Sequence, residues 1–311
     1  MVKTNKHTVE IMNIGCIGLG KMGEAIAYRA SKGGHTVWTF DEDEKKSLAT
    51  MQFGARACNS IEQLVSECSV IWLMLPAGKI VDDVLNQLYP SLRSDMIIID
   101  GGNSWYQDSQ RRAEDLASIG VHFLDIGTSG GVDGKEKGFS LMIGGAKSAY
   151  DQLAGLFRAL AALDGYAYMG PSGSGHYIKM IHNGIEYSLL QAYAEGIQLM
   201  QSGPFKELDL EKITKVWQNG SIIRSWIGSM LHDIIEKKPD FNQISGSIEE
   251  NGTGSWMQKE ATTCHVKTPM LDQALAIRAW SRETGGDIST KLVALLRNRF
   301  GGHPLKKEEK I

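Results

Sequence analysis

Lys179, His182, Asn183 and Glu186 stand at i, i+3, i+4 and i+7 within GSGHYIKMIHNGIEYSLLQAYAEG (173–196). That spacing brings all four to one face of a helix. A lysine and a carboxylate facing one substrate can divide its proton transfers. A partly desolvated lysine beside another positive charge is pushed down toward general-base range. A glutamate in an apolar cleft is pushed up, toward acid duty. Ile178, Met180, Ile181 and Ile185 imply packed neighbouring faces, so the polar stripe is expected to face a cleft. The competing reading is a solvated face carrying a Lys/Glu pair. Gly184 and the flanking glycines argue for close backbone approach instead. No metal is required, and no metal-ligand spacing occurs.

The elements around this segment follow two grammars. Apolar strand-like runs occur at 10–17, 35–40, 69–75, 96–100, 121–126 and 139–143, with YAYM (166–169) a weaker one. Helical periodicity fills most gaps, for example Glu24–Ser31, Ile80–Leu88 and Ser109–Ser118. Near-continuous apolar strands separated by helices indicate a mainly parallel sheet covered on both faces. After the glycine-rich break GPSGSG (170–175), helical patterns run from His176 to about Gln201, then over 209–219, 222–237, 255–266, 270–283 and 287–299. The expected fold class is α/β: a mainly parallel sheet over 1–175, then an all-α second domain over 176–311. A cleft is expected where the two meet. The terminal KKEEKI reads as a solvated, charged tail.

Gly18-Leu19-Gly20-Lys21-Met22-Gly23 follows the first strand and opens a helix. Its glycines suit a tight turn, close approach of pyrophosphate and close helix–strand packing, with free N–H groups at the helix N-terminus meeting the phosphate charge. The next strand ends at Asp41, where an acid can accept hydrogen bonds from both ribose hydroxyls and repel a 2′-phosphate. No Arg or Lys stands beside it in sequence; Glu42 and Asp43 follow. This is a Rossmann-type dinucleotide site, with NAD expected over NADP. Turns after later strands, LPAGK (75–79), DGGNS (100–104) and GTSGGVDG (127–134), supply Leu75, Asn103, Ser129, Gly130 and Gly131 as further cofactor or substrate contacts. A purely structural turn role is the alternative for each.

Composition closes off other classes. At 311 residues, 42% hydrophobic and 22% charged, the chain has an ordinary globular balance for two domains. A formal charge of −3 gives no long-range attraction for nucleic acid or anionic membrane. No apolar stretch approaches the ~20 residues that span a bilayer. The polar start MVKTNKHTVE does not read as a signal peptide. Four cysteines, Cys16, Cys58, Cys68 and Cys264, form no ligand cluster, and a reducing cytoplasm is expected.

With these residues in view, the chain resembles the decarboxylating 6-phosphogluconate dehydrogenase family in its short-chain, NAD-preferring form. The likeness runs nearly end to end through GLGKMG (18–23), LPAG (75–78), DGGNS (100–104), SGG (129–131), GHYIKMIHNGIEY (175–187), GTGSW (252–256) and RFGGH (299–303). The resemblance implies that Lys179 takes the C3 hydroxyl proton and that Glu186 protonates the enediol left after CO2 departs. His182, Asn183, Asn103, Ser129 and Gly131 then position the substrate, a phosphorylated sugar acid. Tyr187, Thr253 and Arg278 hold its phosphate. Arg297 and His303 resemble a tail that reaches a partner subunit's site, which implies a homodimer or homotetramer. Asn251 departs from the longer enzymes, which carry a phosphate-binding lysine there. A β-hydroxyacid dehydrogenase that does not decarboxylate would share Lys179 but have no use for Glu186 with two arginines. A non-catalytic NAD-sensing protein would not need both proton-transfer groups.

Overall fold

Near-continuous apolar runs form the strands, and their side chains divide between the two faces of one sheet. In the computed structural model, which describes residues 11–250 and 252–307, the strands are β1 (Asn13–Ile17), β2 (Thr36–Phe40), β3 (Arg56–Ala57), β4 (Val70–Leu73), β5 (Ile97–Asp100), β6 (His122–Ser129), β7 (Phe139–Gly145) and β8 (Ala161–Gly170). They make an eight-stranded sheet in the order β3-β2-β1-β4-β5-β6-β7-β8. β1 to β6 are parallel, β7 turns back antiparallel to β6, and β8 is parallel to β7. Successive side chains point to opposite faces. Val70, Trp72, Ile97 and Ile99 thus enter one core, while Ile71, Leu73 and Ile98 enter the other. Burial on both faces is why these runs carry no polar alternation.

Helices α1 (Lys21–Lys32), α2 (Glu44–Ala49), α3 (Ile61–Glu67), α4 (Lys79–Leu88), α5 (Tyr106–Ala117), α6 (Gly134–Lys137), α7 (Lys147–Gln152) and α8 (Ala154–Leu160) lie between the strands. Strand order reverses at β1, which has β2 on one side and β4 on the other. In such sheets the crevice outside the carboxyl ends of the strands at that reversal receives the ligand. Two residues of edge strand, β3, carry too little periodicity to be read in sequence. The weak YAYM run is the end of a longer strand, β8.

The chain divides into two compact units, Met1–Lys179 and Met180–Ile311. The division falls inside one long helix, α9 (Ser174–Ser202). In the second unit α9 is joined by α10 (Leu210–Gln218), α11 (Trp226–Glu236), α12 (Thr253–Thr263), α13 (Pro269–Thr284) and α14 (Ile288–Gly301). Leu190, Ala194 and Ile197 form an i, i+4, i+7 stripe that packs with Met230, Leu231 and Ile234 of α11 and Leu292, Val293 and Leu296 of α14. Helix ends follow local chemistry. Pro269 opens α13, Gly285 closes it in the left-handed region, and Asp287 with Thr290 forms a capping box on α14. The expected helix over 222–237 begins only at Trp226, because Ser225 caps it by accepting the Gly228 N–H at 2.9 Å.

The charged C-terminal run is not wholly a solvated tail. Ser245 N–H donates to the Lys306 carbonyl at 3.0 Å, Ile244 bridges to Lys307, and Lys306 pairs with Glu249. The remaining residues of that run, the polar N-terminal segment through Glu10, and Asn251 lie outside the described residues. Among the described residues no helix is long and apolar enough to cross a membrane.

Candidate active site

The glycines of the first turn have three distinct tasks. Gly18 sits at φ +88°, where a side chain would also meet the Met74 carbonyl at 2.5 Å. Gly23 packs so closely that a Cβ would lie 1.9 Å from the Gly18 oxygen. A Cβ on Gly20, by contrast, would meet nothing within 4 Å. Open space therefore lies where Gly20 caps α1 without any side-chain hydrogen bond, so a phosphate can approach the N-terminus of that helix. These residues fit a dinucleotide's pyrophosphate.

Asp41 braces the same turn. Its Oδ2 accepts from Leu19 N–H at 2.6 Å, and its Oδ1 accepts from Asp43 N–H at 2.9 Å. The sequence places no cation next to Asp41, but the fold does: Lys46, one turn along α2, pairs with it at 3.2 Å. Partial burial works against the charged carboxylate. The hydrogen bonds from Leu19 and Asp43, together with the Lys46 ammonium, outweigh it and hold Asp41 below its usual range.

The turn after β5 is fixed from within. Asp100 is fully buried; its Oδ1 accepts from Gly102 N–H at 3.1 Å, and its Oδ2 accepts from Ser104 Oγ at 2.7 Å. Arg112 of α5 joins that carboxylate at 3.2 Å. Removing one partner of such a buried pair costs about 3–5 kcal/mol. Sequence reasoning passed over both residues. The available signal was an arginine placed, with Ser109 and Leu116, on the buried stripe of α5. Asn103 alone in this stretch is exposed, and Leu75, after β4, packs partly against the core beneath.

β6 ends at Ser129, and the turn after it holds Gly130 and Gly131, with φ +135° at Gly130. Thr128 Oγ1 donates to the Gly101 carbonyl at 3.2 Å, tying this strand end to the neighbouring turn. Upstream, Asp125 secures the start of α9, an interaction the sequence did not reveal. Its Oδ1 accepts from Gly173 N–H at 2.7 Å and its Oδ2 from His176 N–H at 2.9 Å. Burial raises its pKa, partly offset by His176 and those two N–H groups. A Cβ on Gly127 would stand 2.4 Å from Lys179 Cβ. Lys179 thus lies hard against β6, itself buried at 5% exposure.

In the second unit α9 continues its polar stripe. His182 Nδ1 and Asn183 Oδ1 are 3.1 Å apart, with Asn183 buried. Gly184 and Gly254 allow α9 and α12 to cross closely: Cβ atoms there would meet Met257 Sδ at 2.0 Å and the Tyr187 ring at 2.6 Å. Tyr187 and Thr253 hydroxyls are 3.4 Å apart. Arg278 lies over the Tyr187 ring, its guanidinium carbon 3.3 Å from the centroid, and both its terminal nitrogens are buried without a hydrogen-bond partner. Burial lowers its pKa to about 10; the like charge of Arg297 works in the same direction, against Tyr187 and Glu186. Arg297, 7% exposed, is also lowered by burial. A buried guanidinium with unused donors suits a multidentate anion. His303 lies just beyond α14, where its carbonyl accepts from Asn298 Nδ2 at 2.7 Å and its ring meets Phe300 edge-on.

The comparisons agree along the chain. A family model for the NAD binding domain of 6-phosphogluconate dehydrogenase matches residues 13–171. A model for the 6-phosphogluconate dehydrogenase C-terminal domain matches residues 175–296. The chain is 42% identical to the NAD(+)-dependent, decarboxylating 6-phosphogluconate dehydrogenase of Haloferax volcanii, over 96% of this chain and 100% of that one. It is 34% identical to the NADP(+)-dependent, decarboxylating enzyme of Bacillus subtilis, over 85% of this chain and 60% of that one. Among solved structures, the 6-phosphogluconate dehydrogenase of Plasmodium falciparum matches with a TM-score of 0.81 at 27% identity, over 94% of this chain and 70% of that one.

Proposed function

Because the chain belongs to the 6-phosphogluconate dehydrogenase family, we propose that Lys179 and Glu186 divide the proton transfers of its reaction. That reaction is the oxidative decarboxylation of 6-phosphogluconate to ribulose 5-phosphate and CO2, with NAD as cofactor. When bound, NAD would supply the hydride acceptor for C3. Gly18, Leu19, Gly20, Lys21, Met22 and Gly23 would hold its pyrophosphate, Asp41 its ribose, and Leu75 and Asn103 would contact the cofactor.

Lys179 takes the C3 hydroxyl proton as hydride leaves that carbon. The resulting 3-keto acid breaks its bond to the carboxylate, releasing CO2, and Lys179 returns its proton to the C3 oxygen. Glu186, two turns further and roughly 10 Å along the same helix face, protonates C1 of the enediol. His182, Asn183, Asn103, Ser129, Gly130 and Gly131 orient the sugar acid. Tyr187, Thr253 and Arg278 form the phosphate end, and Arg297 and His303 belong to the tail that reaches a partner subunit's site. The observation carrying this reading is the unbonded, buried guanidinium of Arg278 beside the helix that bears both proton-transfer groups.

Two further parts of the reading concern the whole enzyme. A homodimer or homotetramer is supported by exposed apolar side chains on α9, namely Leu189, Leu199 and Ile185, the last of which the sequence pattern assigns to a packed face but which is exposed in this chain. A reducing, cytoplasmic setting is supported by the unpaired Cys16, Cys58 and Cys68, all buried.

The test is NADH formation from NAD and 6-phosphogluconate, with ribulose 5-phosphate and CO2 quantified alongside. Equal amounts of all three are expected. NADH without CO2 would overturn the decarboxylase reading in favour of simple hydroxyacid oxidation.

A further inference from the structure

We propose that Arg112 is a positioning residue that locks together the two turns presenting Leu75 and Asn103 to the cofactor. The proposal rests on the reading of those turns as ligand contacts. Arg112 is 1% exposed, and a buried cation is tolerated only when its donors are used. Its Nε donates to Asp82 Oδ1 at 2.8 Å. Its Nη2 donates to the Gly78 carbonyl at 3.1 Å. Its Nη1 donates to Asp100 Oδ2 and to Ser104 Oγ, each at 3.2 Å.

The acceptors fall into two groups. Gly78 and Asp82 belong to the turn after β4 and the helix it opens, while Asp100 and Ser104 bracket the turn after β5. Asn103 is exposed between the buried Gly102 and Ser104, so its backbone is fixed while its side chain projects. The turns also touch with no slack, because a Cβ on Gly102 would stand 2.6 Å from the Leu75 carbonyl. A planar fork reaches acceptors on both sides at once. An ammonium on a flexible stem does not reproduce that geometry.

The experiment compares Arg112→Lys and Ser104→Ala in the full-length enzyme, reading NADH binding by fluorescence, steady-state kinetics and thermal melting. Displacing a ligand contact by about 1 Å costs up to ~100-fold. We expect weaker NADH binding and a fall in kcat/KM of roughly ten- to a hundredfold for Arg112→Lys, carried mostly by KM for NAD. A smaller change of the same kind is expected for Ser104→Ala, which also carries the test if Arg112→Lys does not fold. A drop in melting temperature with NADH binding and the KM for NAD unmoved would mean a structural role only and overturns the proposal. Asn103→Ala separates this from the reading beneath it. Parent-like kinetics there remove the ligand role of the turn, and this inference with it. Loss in Asn103→Ala but none in folded Arg112→Lys overturns the inference alone.

Discussion

The Arg278 guanidinium stacks on the Tyr187 ring with 3.3 Å between its central carbon and the ring centroid. Stacking of this kind holds a cation in place while leaving its edge donors available. Both terminal nitrogens of Arg278 are buried without a hydrogen-bond partner, which suits them to an anion. Arg278→Met should raise the KM for 6-phosphogluconate by roughly 10- to 100-fold, the loss of one or two charge-assisted hydrogen bonds. The KM for NAD should stay unchanged. Equal loss for both substrates would refute a phosphate role.

The same arginine has a pH signature. Its pKa is lowered by burial to about 10, so the folded protein releases this proton before the unfolded chain does. Its burial costs stability below that pH, and the cost is relieved as pH rises from about 10 toward the unfolded value. Substrate affinity should move the opposite way, falling above about 10 as the positive charge is lost. Substrate-induced thermal shifts measured across that range, with Arg278→Met as control, check the sign.

Lys179→Met should bind NAD normally yet lose hydride transfer by at least ~100-fold, the scale of general-base catalysis. Calorimetry with NAD and single-turnover absorbance of NADH separate the two. Near-normal turnover would remove Lys179 as base.

Glu186→Gln keeps the shape of the side chain but takes away the proton that the proposed mechanism supplies to carbon. Turnover to ribulose 5-phosphate should fall by roughly 10²- to 10⁴-fold, with less effect on a first turnover of NADH. Product analysis by rapid quench decides it; equal losses in both steps would assign Glu186 to binding.

Asp41→Ala should erode the preference for NAD, since it removes the proposed ribose acceptor and releases Lys46, now paired at 3.2 Å. An unchanged NAD/NADP ratio of kcat/KM would count against the ribose role. Asp41 also adds an acid-sensitive element to the fold. Its carboxyl is held below the usual range, so its contribution is complete above the unfolded pKa of roughly 3.9 and is lost as pH falls through the folded value. Acid unfolding followed by circular dichroism should be less pH-dependent in the variant.

By itself the sequence determined what depends on short-range pattern. GLGKMG after an apolar strand, the i, i+3, i+4, i+7 stripe of α9 and the helical run after 175 are all local signals, and each element formed close to where its periodicity lies. Gly184 already pointed to close packing, which Met257 supplies. Only tertiary structure decided which distant groups meet. Asp125 secures the start of α9 from far along the chain, and Arg112 joins two turns that its own helix merely passes. Strand order, the antiparallel β7 and the two-residue β3 likewise depend on pairing between segments, where hydrogen bonds run to partners that no local periodicity names. Charged side chains on a buried stripe look like errors of pattern in a sequence. Their acceptors become visible only once the fold has brought them within reach.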